Sequence, residues 1–295
     1  MLQKILVPLD GSELAERALV YAIPLAEQSG ATVLVLRTAM SHTLPGVDPR
    51  ERQAGAIGEA QEYLAGVVSN MQARGVACEP VVRYGHPAAC IAESARTRAV
   101  DLVVMTTHGR TGPGRWIFGS VAEAVVASSP VPVLLQRAWQ PVIGDTLLAD
   151  RPKIGVPLDG STFAEAALEP AAGLAEELNG RLVLLSVQDS PTRIRDASEY
   201  LTRLNYEIGT AYPKVPIVCE VRSGKPEEGI ETAVAQLDLA LLVMATHGRT
   251  GVARSALGSV AGKVLEESDV PVVLVRPRPF DSEETVPDPG AAAPA

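Results

Sequence analysis

Two six-residue words each occur twice in this chain, in the same order. Val7-Pro-Leu-Asp-Gly-Ser12 returns at Val156 to Ser161, and Thr107-His-Gly-Arg-Thr-Gly112 returns at Thr246 to Gly251. A Gly-Ser pair follows the second word in both copies, Gly119-Ser120 and Gly258-Ser259, with nine residues separating it from Gly109 and Gly248 respectively. A repeat with fixed internal spacing restricts the chain to two copies of one structural unit. The 295 residues suit two domains, each long enough to bury a core.

Within each copy the hydrophobic pattern alternates between strand and helix. Residues 3 to 9 form a short apolar run, and Glu13 to Gln28 carries apolar residues at three- and four-residue spacing, ended by Ser29-Gly30. The counterpart helix runs from Thr162 to Leu178. Strand two is expected at Thr32 to Leu36 and Leu182 to Leu185. A loop over residues 40 to 50 and a helix from Glu51 to Arg74 follow, covered more briefly in the second copy by a helix near Ile194 to Gly209. Strand three, at Cys78 to Tyr84 and Ile217 to Arg222, leads through Gly-X-Pro turns into helices Ala88 to Arg98 and Glu227 to Leu237. Strand four ends at Met105 or Met244. After the Gly-rich loop, helices Val121 to Ser128 and Val260 to Ser268 lead to strands Val131 to Leu135 and Val270 to Val275. Each copy is therefore expected to be a five-stranded parallel α/β/α unit. Residues 138–151 read as a linker, in which Trp139 packs between domains. The Pro-, Ala- and acid-rich residues 278–295 read as a disordered tail.

The loop between strand four and the next helix suits an anion. Glycines let backbone N–H groups approach a phosphate, and the following helix adds unpaired N–H groups and a positive dipole end. Ser120 and Ser259 are expected as helix N-caps, with Ser120 to Glu123 matching a capping box. The competing reading is that these glycines only shape a tight turn. Asp10 and Asp159 fall at the carboxyl end of strand one, the side where open parallel sheets bind ligands, although an Asx turn or a cap would use the same residue. His108 and His247 read as hydrogen-bonded structural residues, and Trp116 as loop packing.

Composition removes several function classes. A net charge of −9, with no basic cluster, disfavours a nucleic acid or an anionic membrane surface as partner. No apolar stretch reaches the length of a membrane span, and the chain opens on a strand pattern, so a cytoplasmic location is expected. Hydrophobic content of 46% with 4% aromatic points to a Val, Leu, Ala and Ile core. Cys78, Cys90 and Cys219 have neither disulfide nor zinc spacing and are expected as small buried hydrophobes.

The residues together resemble a tandem universal stress protein, over residues 1–137 and 152–277. That family's nucleotide signature is a glycine, two residues, a glycine, nine residues, then Gly-Ser or Gly-Thr. Gly109 with Gly119-Ser120, and Gly248 with Gly258-Ser259, fill its later places; Thr106 and Ala245 stand where its first glycine would be. The resemblance implies two Rossmann-like domains of the adenine nucleotide alpha hydrolase kind, binding ATP with Mg2+ or Mn2+. It implies that Asp10 and Asp159 contact ribose or the metal, and that the main chain near Thr38 and Val187, just after strand two, recognises adenine. Gly109, Arg110, Gly119, Ser120 and Val121, and in the second copy Gly248, Arg249, Gly258, Ser259 and Val260, would surround the phosphates. A β-branched Thr106 intrudes more than Ala245, so the second copy is expected to be the better site.

Three functions are compatible with these residues. A nucleotide-binding regulator read by a protein partner is the preferred one; the resemblance implies that strand five pairs the two domains as a pseudo-dimer, with further homodimerisation left open. A slow ATPase and a nucleotide-independent interaction module are the others. An efficient enzyme is not expected: there is no P-loop lysine motif and one obvious carboxylate per site. Strand one is not followed by G-x-G-x-x-G, which disfavours a dinucleotide-dependent dehydrogenase.

Overall fold

The computed structural model describes residues 2–40, 49–107, 119–137, 150–247 and 257–277. The first half runs β1 (Lys4–Pro8), α1 (Glu13–Glu16), α2 (Leu19–Ser29), β2 (Thr32–Ala39), α3 (Pro49–Ala73), β3 (Cys78–Tyr84), α4 (Pro87–Thr97), β4 (Leu102–Thr106), α5 (Ser120–Ser128) and β5 (Val133–Gln136). The second half repeats the order as β6 (Lys153–Pro157), α6 (Thr162–Glu165), α7 (Leu168–Glu177) and β7 (Arg181–Gln188). It continues with a single 3-10 turn (Pro191–Arg193), α8 (Ile194–Ala211), β8 (Ile217–Ser223), α9 (Pro226–Leu237), β9 (Leu241–Ala245), α10 (Ser259–Glu267) and β10 (Val272–Val275).

All ten strands form one sheet in the order β3-β2-β1-β4-β5-β10-β9-β6-β7-β8. Within each half every pairing is parallel, whereas β5 and β10 pair antiparallel, Leu134 opposite Val273. Strand five, which a lone domain would leave as an open edge, is thus covered by its counterpart in the same chain. Successive residues of each strand enter opposite cores. Ile5, Val7, Val33 and Val35 pack beneath α2 and α3, and Leu6, Leu34 and Leu36 beneath α4 and α5. Both faces are covered, so the strands read as continuous apolar runs.

Three expectations shift. The first helix of each half is two helices: through Arg17–Ala18 and Ala166–Ala167 the bonds run i to i+3, as in Ala18 N–H to the Ala15 carbonyl and Ala167 N–H to the Ala164 carbonyl. Ala18 and Ala167 are fully buried at these bends, where the chain is wound tighter against the sheet. Strand two is longer than its apolar run, because β3 and β8 pair with it to its end, at Ala39 with Tyr84 and Gln188 with Ser223. Of the cysteines only Cys90 is buried; Cys78 is intermediate and Cys219 exposed on the outer strand β8. Trp116, Trp139, His108, the tail and residues 138–149 of the linker lie outside the described residues.

Candidate functional site

At the carboxyl ends of β6, β7 and β9 the second half encloses a cavity of about 270 Å³. Asp159, Val187 and the Gly258-Ser259-Val260 run, far apart from one another in sequence, all line it, together with Ala245. Gly248 and Arg249 lie outside the described residues, as do Gly109 and Arg110 of the first half. The described residues Asp10, Thr38, Gly119, Ser120 and Val121 occupy the matching positions in the first half.

The aspartate is placed by its own turn. Oδ1 of Asp159 accepts from the Ser161 N–H at 2.9 Å and its hydroxyl at 2.6 Å, and Ser161 Oγ accepts from the Ala164 N–H at 3.2 Å, capping α6. Asp10, Ser12 and Ala15 repeat the arrangement at the same distances. The residue between must take a left-handed conformation, which is why it is glycine: Gly11 has φ 85° and Gly160 φ 88°. One oxygen therefore serves the Asx turn, and the carboxylate is held in the cavity lining.

The serines are not N-caps. Gly119 and Gly258 have the extended backbone of a cap (φ −67° in both) and no side-chain cap bond, so Ser120 and Ser259 are already the first helical residues. The glycine is drawn to that place by its own N–H, which donates to the Thr107 carbonyl at 2.8 Å in one half and the Thr246 carbonyl at 2.7 Å in the other. Glu123 then stands at the fourth helical position, and the expected capping box does not form. In α10 the first helical bond runs from Gly262 to Gly258, so the N–H groups of Ser259, Val260 and Ala261 precede the helical ladder at the cavity wall. A Cβ on Gly258 would stand 3.3 Å from the Thr246 carbonyl oxygen.

Thr38 and Val187 lie within strand two, not after it. The Leu185 carbonyl accepts from Leu158 N–H on the β6 side, and the Gln188 carbonyl accepts from Gly224 N–H on the β8 side. Main-chain groups alternate sides along a strand, so those of Val187 face the side that β6 has already left. Thr38 has the same parity, because the Leu36 carbonyl accepts from Leu9 N–H.

Several neighbours have no marked sequence signal. Gln188 is buried and donates from Nε2 to Ser186 Oγ at 2.9 Å, and Ser186 donates to the Leu158 carbonyl at 3.0 Å, a polar chain beside the cavity. Gly229 in α9 is needed for close approach, since a Cβ there would fall 2.6 Å from Val187 Cγ1. Cys90 occupies the Gly229 position in the first half, facing a site where Thr38 replaces Val187. Tyr63 donates to Glu16 at 2.7 Å beneath the Arg37 guanidinium; burial, with Glu16, pushes its hydroxyl well above the usual tyrosine range. His247 Nδ1 lies 3.2 Å from Thr246 Oγ1, as a hydrogen-bonded structural histidine should. Among the described residues no group of three His, Cys, Asp or Glu could hold a metal by itself, and no helix is long and apolar enough to cross a membrane.

The model of the universal stress protein family matches residues 1–137 and 151–276. The chain belongs to that family. A universal stress protein of Methanocaldococcus jannaschii is 34% identical over 140 residues, 46% of this chain and 82% of the relative. One from Mycolicibacterium smegmatis is 25% identical over 241 residues, 77% of this chain and 78% of its own. The crystal structure of a universal stress protein from Archaeoglobus fulgidus matches with a TM-score of 0.75 at 23% identity, over 93% of this chain and 98% of that one. At that identity the likeness speaks for the tandem Rossmann-like fold.

Proposed function

We propose that this universal stress protein is an ATP-binding regulator of the cytoplasm and that its second half is the better site. The observation that carries this reading is the cavity at the strand ends, where Asp159, Val187 and the Gly258-Ser259-Val260 helix start meet. Its volume of about 270 Å³ lies near the low end of the roughly 300–1,000 Å³ of small-molecule sites, enough for a nucleoside with its phosphates directed outward. The N–H groups of Ser259 and Val260 and the Ser259 hydroxyl suit the phosphates. Val187, with main-chain donor and acceptor on its open side, suits a base edge, and the apolar Ile230 and Met244 suit its face.

Asp159 supplies one carboxylate at the phosphate end, which fits Mg2+ or Mn2+ held mainly by phosphate oxygens and water. Such an ion would neutralise phosphate charge. Efficient phosphoryl transfer needs a positioned base, metal ligands and a phosphate clamp; one carboxylate at that end favours a binding role over a catalytic one. Signalling requires ATP to favour one of two states that a partner protein distinguishes.

Native mass spectrometry with ATP and Mg2+ tests the reading. One adenine nucleotide per chain is expected, lost in Gly258→Val, whose branched side chain would meet the Thr246 carbonyl. Two nucleotides per chain would show that Thr106 is tolerated. None at millimolar ATP, or unchanged binding by the Gly258 variant, overturns the second-half site.

A further inference from the structure

We propose that Arg193 covers the face of the bound base in the second half, acting as a positioning residue at the base end. The inference rests on the nucleotide reading above. Arg193 lines the cavity together with Asp189, Val187 and Pro226. The ligand-facing ends of the cavity are separated by the sheet order. β9, which leads to the phosphate-suited start of α10, and β7, which leads to Arg193, flank β6 on opposite sides. Strands lie about 4.8 Å apart, so these two ends are separated by about 10 Å. A cation on the β7 side is out of place for the phosphates and in place for the base.

The local structure holds Arg193 there. It closes the one-turn 3-10 helix, its N–H donating to the Ser190 carbonyl at 3.1 Å, and Ser190 and Thr192 share a hydroxyl bond of 2.8 Å. Its guanidinium lies 3.8 Å from Asp189 four residues earlier, both side chains more than half exposed, so the pair stands at the mouth. Pro226 and Ile230, at the start of α9, form an apolar wall of the same cavity. A flat base between that wall and a planar guanidinium gains stacking and cation–π attraction without consuming a hydrogen bond. Asp189 offsets part of the positive charge, which suits an uncharged aromatic ring better than an anion.

The test is isothermal titration of AMP, ADP and ATP against the full chain and its Arg193→Ala, Arg193→Lys and Arg193→Tyr variants. Stacking predicts a loss of about tenfold in Arg193→Ala by the same factor for all three nucleotides. It also predicts a comparable loss in Arg193→Lys, which lacks the planar face, and recovery to within about threefold of wild type in Arg193→Tyr, which can stack but carries no charge. A loss that grows with phosphate number, a tyrosine variant as weak as alanine, or an alanine variant as tight as wild type would overturn the assignment. Wild-type protein that binds no nucleotide would instead overturn the site itself, a result that no Arg193 variant can mimic. The side chain is exposed, so thermal melts of all three variants are expected to match wild type.

Discussion

Single residues decide how closely backbone and helix approach the site. Gly229 lies within α9, where glycine normally costs helix stability, yet a Cβ there would stand 2.6 Å from Val187 Cγ1. Gly229→Ala is therefore expected to destabilise the fold by about 1–3 kcal/mol, measured by urea unfolding, because Val187 is pinned in the sheet. Gly66, on the exposed side of α3, has nothing within 4 Å of its would-be Cβ. Gly66→Ala should stabilise by about 0.5–1 kcal/mol in the same measurement. The repeated words made the Asp10 and Asp159 turns legible from sequence, because Asp-Gly-Ser carries its own turn chemistry. Gly229, Gln188 and Arg193 were not legible, since their importance comes from neighbours that only the fold supplies.

Elements pack with unequal charge at the join between halves. Arg137, just beyond β5, donates to the Glu266 carbonyl at the end of α10 and pairs with Asp269 at 3.5 Å. Glu231 on α9 belongs to the same neighbourhood, and its Oε1 is buried without a hydrogen-bond partner. Burial first, then the Asp269 and Glu267 carboxylates, push its carboxyl from the ordinary 4.5 to about 7, with Arg137 and a hydrogen bond from Ser268 pulling the other way. A raised folded-state value means the folded protein holds this proton more tightly than the unfolded chain does. Stability from this group is thus full below about pH 4.5 and is lost as the pH rises through about 7. Glu231→Gln is expected to be more stable than wild type at pH 8, by about 1–2 kcal/mol after discounting for partial exposure. The difference should vanish near pH 4; thermal melts across this range check the sign. Helix existence was readable from periodicity, whereas the bends at Ala18 and Ala167 were not, since apolar spacing is the same in a tight and a regular turn.

Across the whole molecule, the antiparallel β5–β10 pair makes two repeats one sheet. Leu134 and Val273 at that join are essentially fully buried, so the halves share core as well as hydrogen bonds. Urea unfolding is expected to show one cooperative transition by both circular dichroism and tyrosine fluorescence. Val273→Asp, which buries a charge with no partner, should lower stability by more than about 3 kcal/mol. Two well-separated transitions in the wild-type protein would show that the halves unfold independently.

The amino-acid sequence by itself determined the two-fold repeat, the parallel α/β/α unit, the order of elements and the Asp-Gly-Ser turn. Each of these follows from local spacing, apolar periodicity or the conformational preference of one residue. Tertiary structure alone decided that Gln188 and Arg193 join the expected residues at the cavity, that Gly258 rather than Ser259 caps α10, that strand two runs on past its apolar core, and that strand five meets its counterpart antiparallel. Those outcomes depend on contacts between segments from about a dozen to more than a hundred residues apart. The Thr246 carbonyl draws the Gly258 N–H into the cap, and pairing with β8 extends β7 to Gln188. A hydrogen bond to a distant strand can outweigh a local preference of a few tenths of a kcal/mol, so local pattern places the elements and long-range pairing sets their ends.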